Sequence, residues 1–153
     1  MKTNEQIARE YFTNGYNCAQ SVFLTYAKKY GFSDDIALKL SSSFGGGMGR
    51  LREVCGAVSA MFMIAGLENG YTQNNNDEKK AQHYELIQKL AQEFKEENGS
   101  IICRDLLGLE DGADSPTPSK RTKQYYQDRP CEEFIASACR IIDKNITAKM
   151  DIH

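Results

Sequence analysis

The chain has 153 residues, 41% hydrophobic and 26% charged, with a formal net charge of −2. That length makes one domain with a core that needs no disulfide staples, and the charge excludes the broad basic field that draws in nucleic acid. Met1 to Glu10 is polar and mixed in charge, without the apolar centre of a signal peptide; this predicts a cytoplasmic protein, where cysteines are reduced, metal-bound or catalytic rather than structural disulfides.

Thr3 with Gln6 has the form of a capping box, so a first helix starts near Asn4 and stops at Asn14-Gly15. Asn17 caps a second helix over Cys18 to Tyr30, with Cys18, Val22, Thr25 and Tyr26 on its inner face and Gly31 beyond its end. Ser33 followed by Asp34 and Asp35 starts a third, carrying Ile36, Ala37 and Leu40 and running out near Phe44. Gly45-Gly46-Gly47-Met48-Gly49-Arg50 is a loop that needs backbone shapes other residues avoid. It is neither a dinucleotide fingerprint nor a P-loop, and a tight crossing of helices explains it better than anion binding.

Leu51 to Leu67 is the central helix. Its run from Val54 is uncharged, but at 14 residues it is too short to span a bilayer. Apolar around nearly its whole circumference, it belongs in the middle of a bundle. A long amphipathic helix comes next, from about Asp77 to Glu97, with Tyr84, Ile87, Leu90, Ala91 and Phe94 as its stripe. Ser100 caps a short helix over Ile101 to Leu107. Gly108 to Gln127, with Pro116 and Pro118, reads as a loop, and its Lys120, Arg121, Lys123, Tyr125 and Tyr126 as a solvated patch rather than a nucleic-acid site. The last helix starts at Pro130 and continues to about Ala148, with Cys131, Phe134, Ile135, Ala138, Ile142 and Ile146 on one face. No useful length alternates with period two. The expectation is an all-α fold: a single helical domain over residues 1–153, five to seven helices around the central apolar helix at about 51–67.

The chemistry rests on Cys18, Cys55, Cys103, Cys131 and Cys139. An odd count suits a disulfide scaffold poorly. Cys18 and Cys131 fall in the first turn of their helices, where the dipole and free N–H groups favour a thiolate. Cys55 comes after the glycine loop, one turn into the central helix, near Arg50 and Arg52, and basic neighbours favour its thiolate too. Cys103 alone would be a core residue, and Cys139, at the edge of the last stripe, is one. Cys131 and Cys139 are about 12 Å apart along a helix, beyond the roughly 7 Å that a disulfide tolerates between Cα atoms. No close pair of the C-x₂-C kind announces a zinc site. Any centre must therefore be assembled from separate helices, as an iron–sulfur cluster or a dithiol couple. His83, off the apolar stripe, is a surface residue rather than a ligand.

Gly45 to Arg50 with Cys55-Gly56-Ala57-Val58-Ser59-Ala60, Asn17-Cys18-Ala19-Gln20, Ser100 to Gly108 and Pro130-Cys131 resembles, in the same order and over most of the chain, a family of redox-active proteins named for a C_GCAxxG_C_C pattern. The resemblance assigns the four motif cysteines to Cys18, Cys55, Cys103 and Cys131, and leaves Cys139 as an extra. Val54 stands where the longer motif has glycine, and Ala60 replaces the last motif glycine with another small residue. Members look like neighbours of transport genes, and a similar four-cysteine module fused to a haem protein has the look of an iron–sulfur site. The resemblance thus implies a redox protein whose four cysteines hold an iron–sulfur cluster for electron transfer, or act as redox thiols in which Cys18 or Cys131 attacks and a neighbour resolves. The rival expectation is a non-catalytic helical module serving a transport system, its cysteines mere packing residues. Neither the redox partner nor the oligomeric state can be read.

Overall fold

The computed structural model describes residues 1–110 and 112–147. Among them, eight regular α-helices account for the architecture: α1 (Asn4–Thr13), α2 (Cys18–Ala27), α3 (Asp34–Ser42), α4 (Gly56–Asn69), α5 (Asp77–Asn98), α6 (Cys103–Leu107), α7 (Lys123–Asp128) and α8 (Cys131–Ile142). A 3₁₀ turn, Lys28–Tyr30, extends α2, and a π turn, Asp143–Thr147, extends α8. No strand occurs among the described residues. The fold is all-α, as expected, with eight helices among the described residues against the five to seven predicted; Ala148, the expected end of the last helix, lies outside the described residues.

The caps explain the starts. Thr3 and Gln6 form a reciprocal capping box on α1, and Asn17 and Gln20 form a second on α2. The Ser33 hydroxyl accepts from the Ile36 N–H at α3, and Asn76 and Thr122 cap α5 and α7.

α4 is the hub. Gly56, Ala57, Val58, Ser59, Ala60, Met61, Ile64 and Ala65 are all buried, and α2, α5 and α8 pack around it. Each fully buried Val58, Met61 or Ile64 contributes roughly 1.5–3 kcal/mol of apolar burial. α8 lies across α1, α2, α4 and α5 and buries Phe134, Ile135, Ala138 and Ile142. Polar ties close the far end: Tyr26 donates to Asp143 Oδ1 (2.9 Å), as does Asn4 Nδ2 (2.9 Å), and Arg9 pairs with Glu133 (2.9 Å).

Three expectations need correction. The central helix begins at Gly56 rather than Leu51, because Arg52 takes a left-handed backbone and the backbone of 52–55 is hydrogen-bonded to 101–104. The expected loop over Gly108 to Gln127 gives way to α7 at Lys123. Two amphipathic faces are buried less than their patterns imply: on α3 only Ala37 and Ser41 are buried, Ile36 and Leu40 being about half exposed, and on α5 only Leu90 and Phe94 are buried while Tyr84 is exposed.

Candidate functional site

The glycine loop shapes the site. Residues 46–50 adopt left-handed backbone angles in succession (φ 67°, 67°, 69°, 59° and 66°), and Arg52 does so again at 61°. Glycine tolerates this freely, but at Met48, Arg50 and Arg52 it costs roughly 1–2 kcal/mol per residue. The turn is closed by the Arg52 N–H on the Gly46 carbonyl (3.3 Å) and the Glu53 N–H on the Gly47 carbonyl (2.9 Å). It reverses the chain so that residues 52–55 run beside 101–104. There the Cys55 N–H donates to the Ile101 carbonyl (2.8 Å), the Cys103 N–H to the Glu53 carbonyl (2.6 Å) and the Arg104 N–H to the Arg52 carbonyl (3.2 Å). This antiparallel bridge, Val54 to Ile102, puts Cys55 and Cys103 on one face, because side chains alternate along an extended segment.

Glycine also lets the parts close up. A Cβ at Gly56 would meet Cys18 Sγ at 2.5 Å, and one at Gly47 would meet Cys103 Cβ at 2.6 Å. The tight crossing expected of the glycine loop is therefore present, and it is built around cysteines.

Cys18, Cys55, Cys103 and Cys131 all line one cavity of about 300 Å³. Each stands at a helix start: Cys18, Cys103 and Cys131 are first residues of α2, α6 and α8, and Cys55 is the N-cap of α4. Cys139 lies elsewhere, fully buried in the core, as its place on the stripe implies.

The electrostatics reverse one expectation. Helix starts do not leave Cys18, Cys55 or Cys131 acidic. Burial pushes the Cys18 thiol up, with the backbone at Gly46, Ala19 and Gly56 opposing it and nearby Cys103 adding to it. Burial holds Cys55 well above the ordinary thiol range, reinforced by Cys18 and Cys131. Burial pushes Cys131 up to about 12, with Cys18 and Cys103 adding to the effect. Desolvation of a thiolate outweighs the dipole of one helix. The basic residue near Cys55 in sequence serves Cys103 in space: Arg52, only 4% exposed, places Nη1 3.5 Å from Cys103 Sγ and pairs with Asp114 at 2.8 Å.

Sequence reasoning misses the rest of the wall. Arg121, expected in a solvated patch, instead donates to the carbonyls of Phe12 (3.1 Å) and Tyr16 (3.2 Å) and stacks on Phe12 and Tyr125 at 4.5 and 4.9 Å from their ring centres. It pins the 116–130 segment over the cavity. Arg50, Ser119, Tyr125 and Arg129 also line it. The sequence signal for this wall is an arginine among aromatics, and that pattern fits many surfaces. His83 is half-buried, edge-on to Tyr71, and does not line the cavity.

No group of three or more His, Cys, Asp or Glu side chains that could hold a metal ion occurs among the described residues. A single tetrahedral ion, which draws all its ligands to one centre, does not fit the arrangement. A cluster with one cysteine per iron makes no such demand, and four cysteines on one cavity fit it in number and donor chemistry.

Fold and site together define a cysteine-centred helical protein. The family model described as "Putative redox-active protein (C_GCAxxG_C_C)" matches residues 16–145, and the chain belongs to that family. No curated protein and no solved structure shows significant similarity to it. No helix among the described residues is long and apolar enough to cross a membrane.

Proposed function

We propose that the chain is an electron-transfer protein in which Cys18, Cys55, Cys103 and Cys131 together hold an iron–sulfur cluster. One observation carries this reading: all four motif cysteines, from four separate elements, line the same cavity. Four converging thiols are more than a dithiol couple needs. Burial keeps three of them protonated when no cation is near, and cluster irons supply the positive charge that makes thiolates stable there. The chain's own contribution is to orient the sulfurs and exclude water. The backbone around Cys18 and the guanidinium of Arg52 at Cys103 stabilise sulfur charge, a lever on reduction potential. Anaerobic purification, a visible spectrum, and iron and sulfide counted per chain test the proposal. A brown protein with stoichiometric iron and sulfide, lost when any of the four becomes serine, is expected; a colourless, metal-free protein overturns it.

A second reading has its own support in the Arg52–Cys103 contact. A buried guanidinium on a sulfur is what an attacking thiolate requires. In that reading Cys103, rather than Cys18 or Cys131, attacks a partner disulfide. The partner's S–S bond breaks and a thiolate leaves; a second cavity cysteine then attacks the mixed disulfide, leaving an internal disulfide and the partner reduced. Thiol counts before and after mild oxidant, with peptide mapping of any new disulfide, distinguish it: an unchanged count rules it out. Location in the cytoplasm and service to a transport system are further proposals, tested by fractionation and by co-purification.

A further inference from the structure

Four arginines line the cavity, and among the described residues no carboxylate does. Asp114 outside the wall answers part of that charge. Two arginines are committed: Arg52 to Asp114 and Cys103, Arg121 to two carbonyls and the rings of Phe12, Tyr125 and Tyr126. Arg50 holds the Ser115 carbonyl (2.7 Å) and Ser119 Oγ (3.3 Å), with Asp114 further off at 3.7 Å. The Arg129 guanidinium stacks on Tyr125, 5.8 Å from the ring centre, and has no hydrogen bond or ion pair among the described residues. Four guanidiniums against one carboxylate leave a surplus of positive charge. The starts of α2, α4 and α8, each ten residues or longer, add their positive ends to the same wall. Besides the polar Asn17, Ser42 and Ser119, the wall carries an apolar patch of Leu106, Leu107, Pro116, Pro118 and Phe134. A hydrated inorganic ion would leave that apolar patch unmatched, and a neutral solute would leave the charge unmatched.

We propose that the cavity admits a small organic anion to the cysteines, its acidic head on Arg129 and Arg50 and its apolar body against the prolines. The volume, about 300 Å³, is at the small end of ligand sites. This deepens the second, thiol–disulfide reading by naming the class of molecule that reaches the sulfurs, and it rests on that reading only for the sulfur chemistry itself.

The test compares alkylation of the protein as purified by iodoacetate, which is anionic, and iodoacetamide, which is neutral. In the urea-unfolded chain the neutral reagent is favoured, because thiolate and carboxylate repel. In the folded chain the cavity cysteines are expected to shift toward iodoacetate. Arg129→Gln should cut that shift about fivefold, the scale of one partly screened charge at short range, while Lys89→Gln, an exposed charge outside the cavity, leaves it unchanged. A folded-state preference equal to that of the unfolded chain overturns the proposal. If bound metal blocks alkylation, the melting temperature decides: benzoate should raise it, benzamide should not, and Arg129→Gln should shrink the difference. Equal responses to the two compounds overturn the proposal there. Iron, sulfide and disulfide content are read separately, so loss of the redox reading and loss of the anion site give different results.

Discussion

Asp114 is partly exposed, yet its charge is what lets Arg52 stay buried. Asp114→Asn leaves that guanidinium with Cys103 Sγ alone, and an unpaired buried charge is costly. The urea midpoint should fall clearly, against little change for Asp34→Asn, whose pair with Lys28 is exposed. No fall would mean that Arg52 finds other partners. Cys139 supports a different residue-scale prediction. Burial pushes its thiol up to about 12 from an ordinary value of 9.0. The folded state therefore holds its proton more tightly than the unfolded one. That stability is complete below pH 9 and drains away as pH rises toward 12, because only the unfolded chain gains by ionising. Cys139→Ala, measured by urea titration at stepped pH, should flatten the alkaline fall; an unchanged slope would assign the fall to other groups. Neither effect is legible in the sequence. Arg52 stands three residues from Cys55 and fifty-one from Cys103, but left-handed angles at 46–50 and 52 turn it to the distant one.

Among the elements, α4 shows why glycines of one helix are unequal. At Gly56 a methyl group would strike Cys18 Sγ at 2.5 Å and the Phe44 carbonyl at 2.7 Å; at Gly66 it would meet nothing within 4 Å. Gly56→Ala should push α2 off α4 and cost on the order of 2–3 kcal/mol or more, the scale of an overpacked core. Gly66→Ala should stabilise by roughly 0.5–1 kcal/mol through helix propensity and a less free unfolded chain. Thermal melts of the two variants check the contrast, and a common sign would refute the packing account of α4. The helix itself is legible from its unbroken apolar run. Its start is not: Leu51 to Cys55 looks helical locally, and the hydrogen bonds to Gly46, Gly47 and 101–104, with Arg52 left-handed, hold it out of the helix. α7 is hidden for the opposite reason, since Pro116 and Pro118 constrain their own neighbours and not the chain beyond Thr122. The half-exposed faces of α3 and the first turns of α5 promise more burial than they deliver, because periodicity reports a face without reporting what covers it.

For the molecule as a whole, the cysteine spacings already exclude a centre made by a local pair, and so require one made by tertiary packing. The order of the motif picks out the four members; their common cavity emerges only with the fold, because α2, the 52–55 bridge, α6 and α8 come from all parts of the chain. That construction carries a consequence for unfolding. Backbone hydrogen bonds tie 52–55 to 101–104, Gly56 seats Cys18 against α4, Arg121 ties the 116–130 segment to α1, and α8 packs across α1, α2, α4 and α5. No one cysteine can leave the cavity without breaking contacts that hold another. Pulse alkylation of the metal-free protein across a urea series should then expose Cys18, Cys55, Cys103 and Cys131 at one midpoint, the midpoint at which helical circular dichroism is lost. Cys139, in the core that the same helices enclose, should join them, as expected of a single cooperative domain. Exposure of Cys131 at clearly lower urea would show that α8 and the 116–130 segment open alone, and the cavity would then have a gate on its C-terminal side instead of a wall.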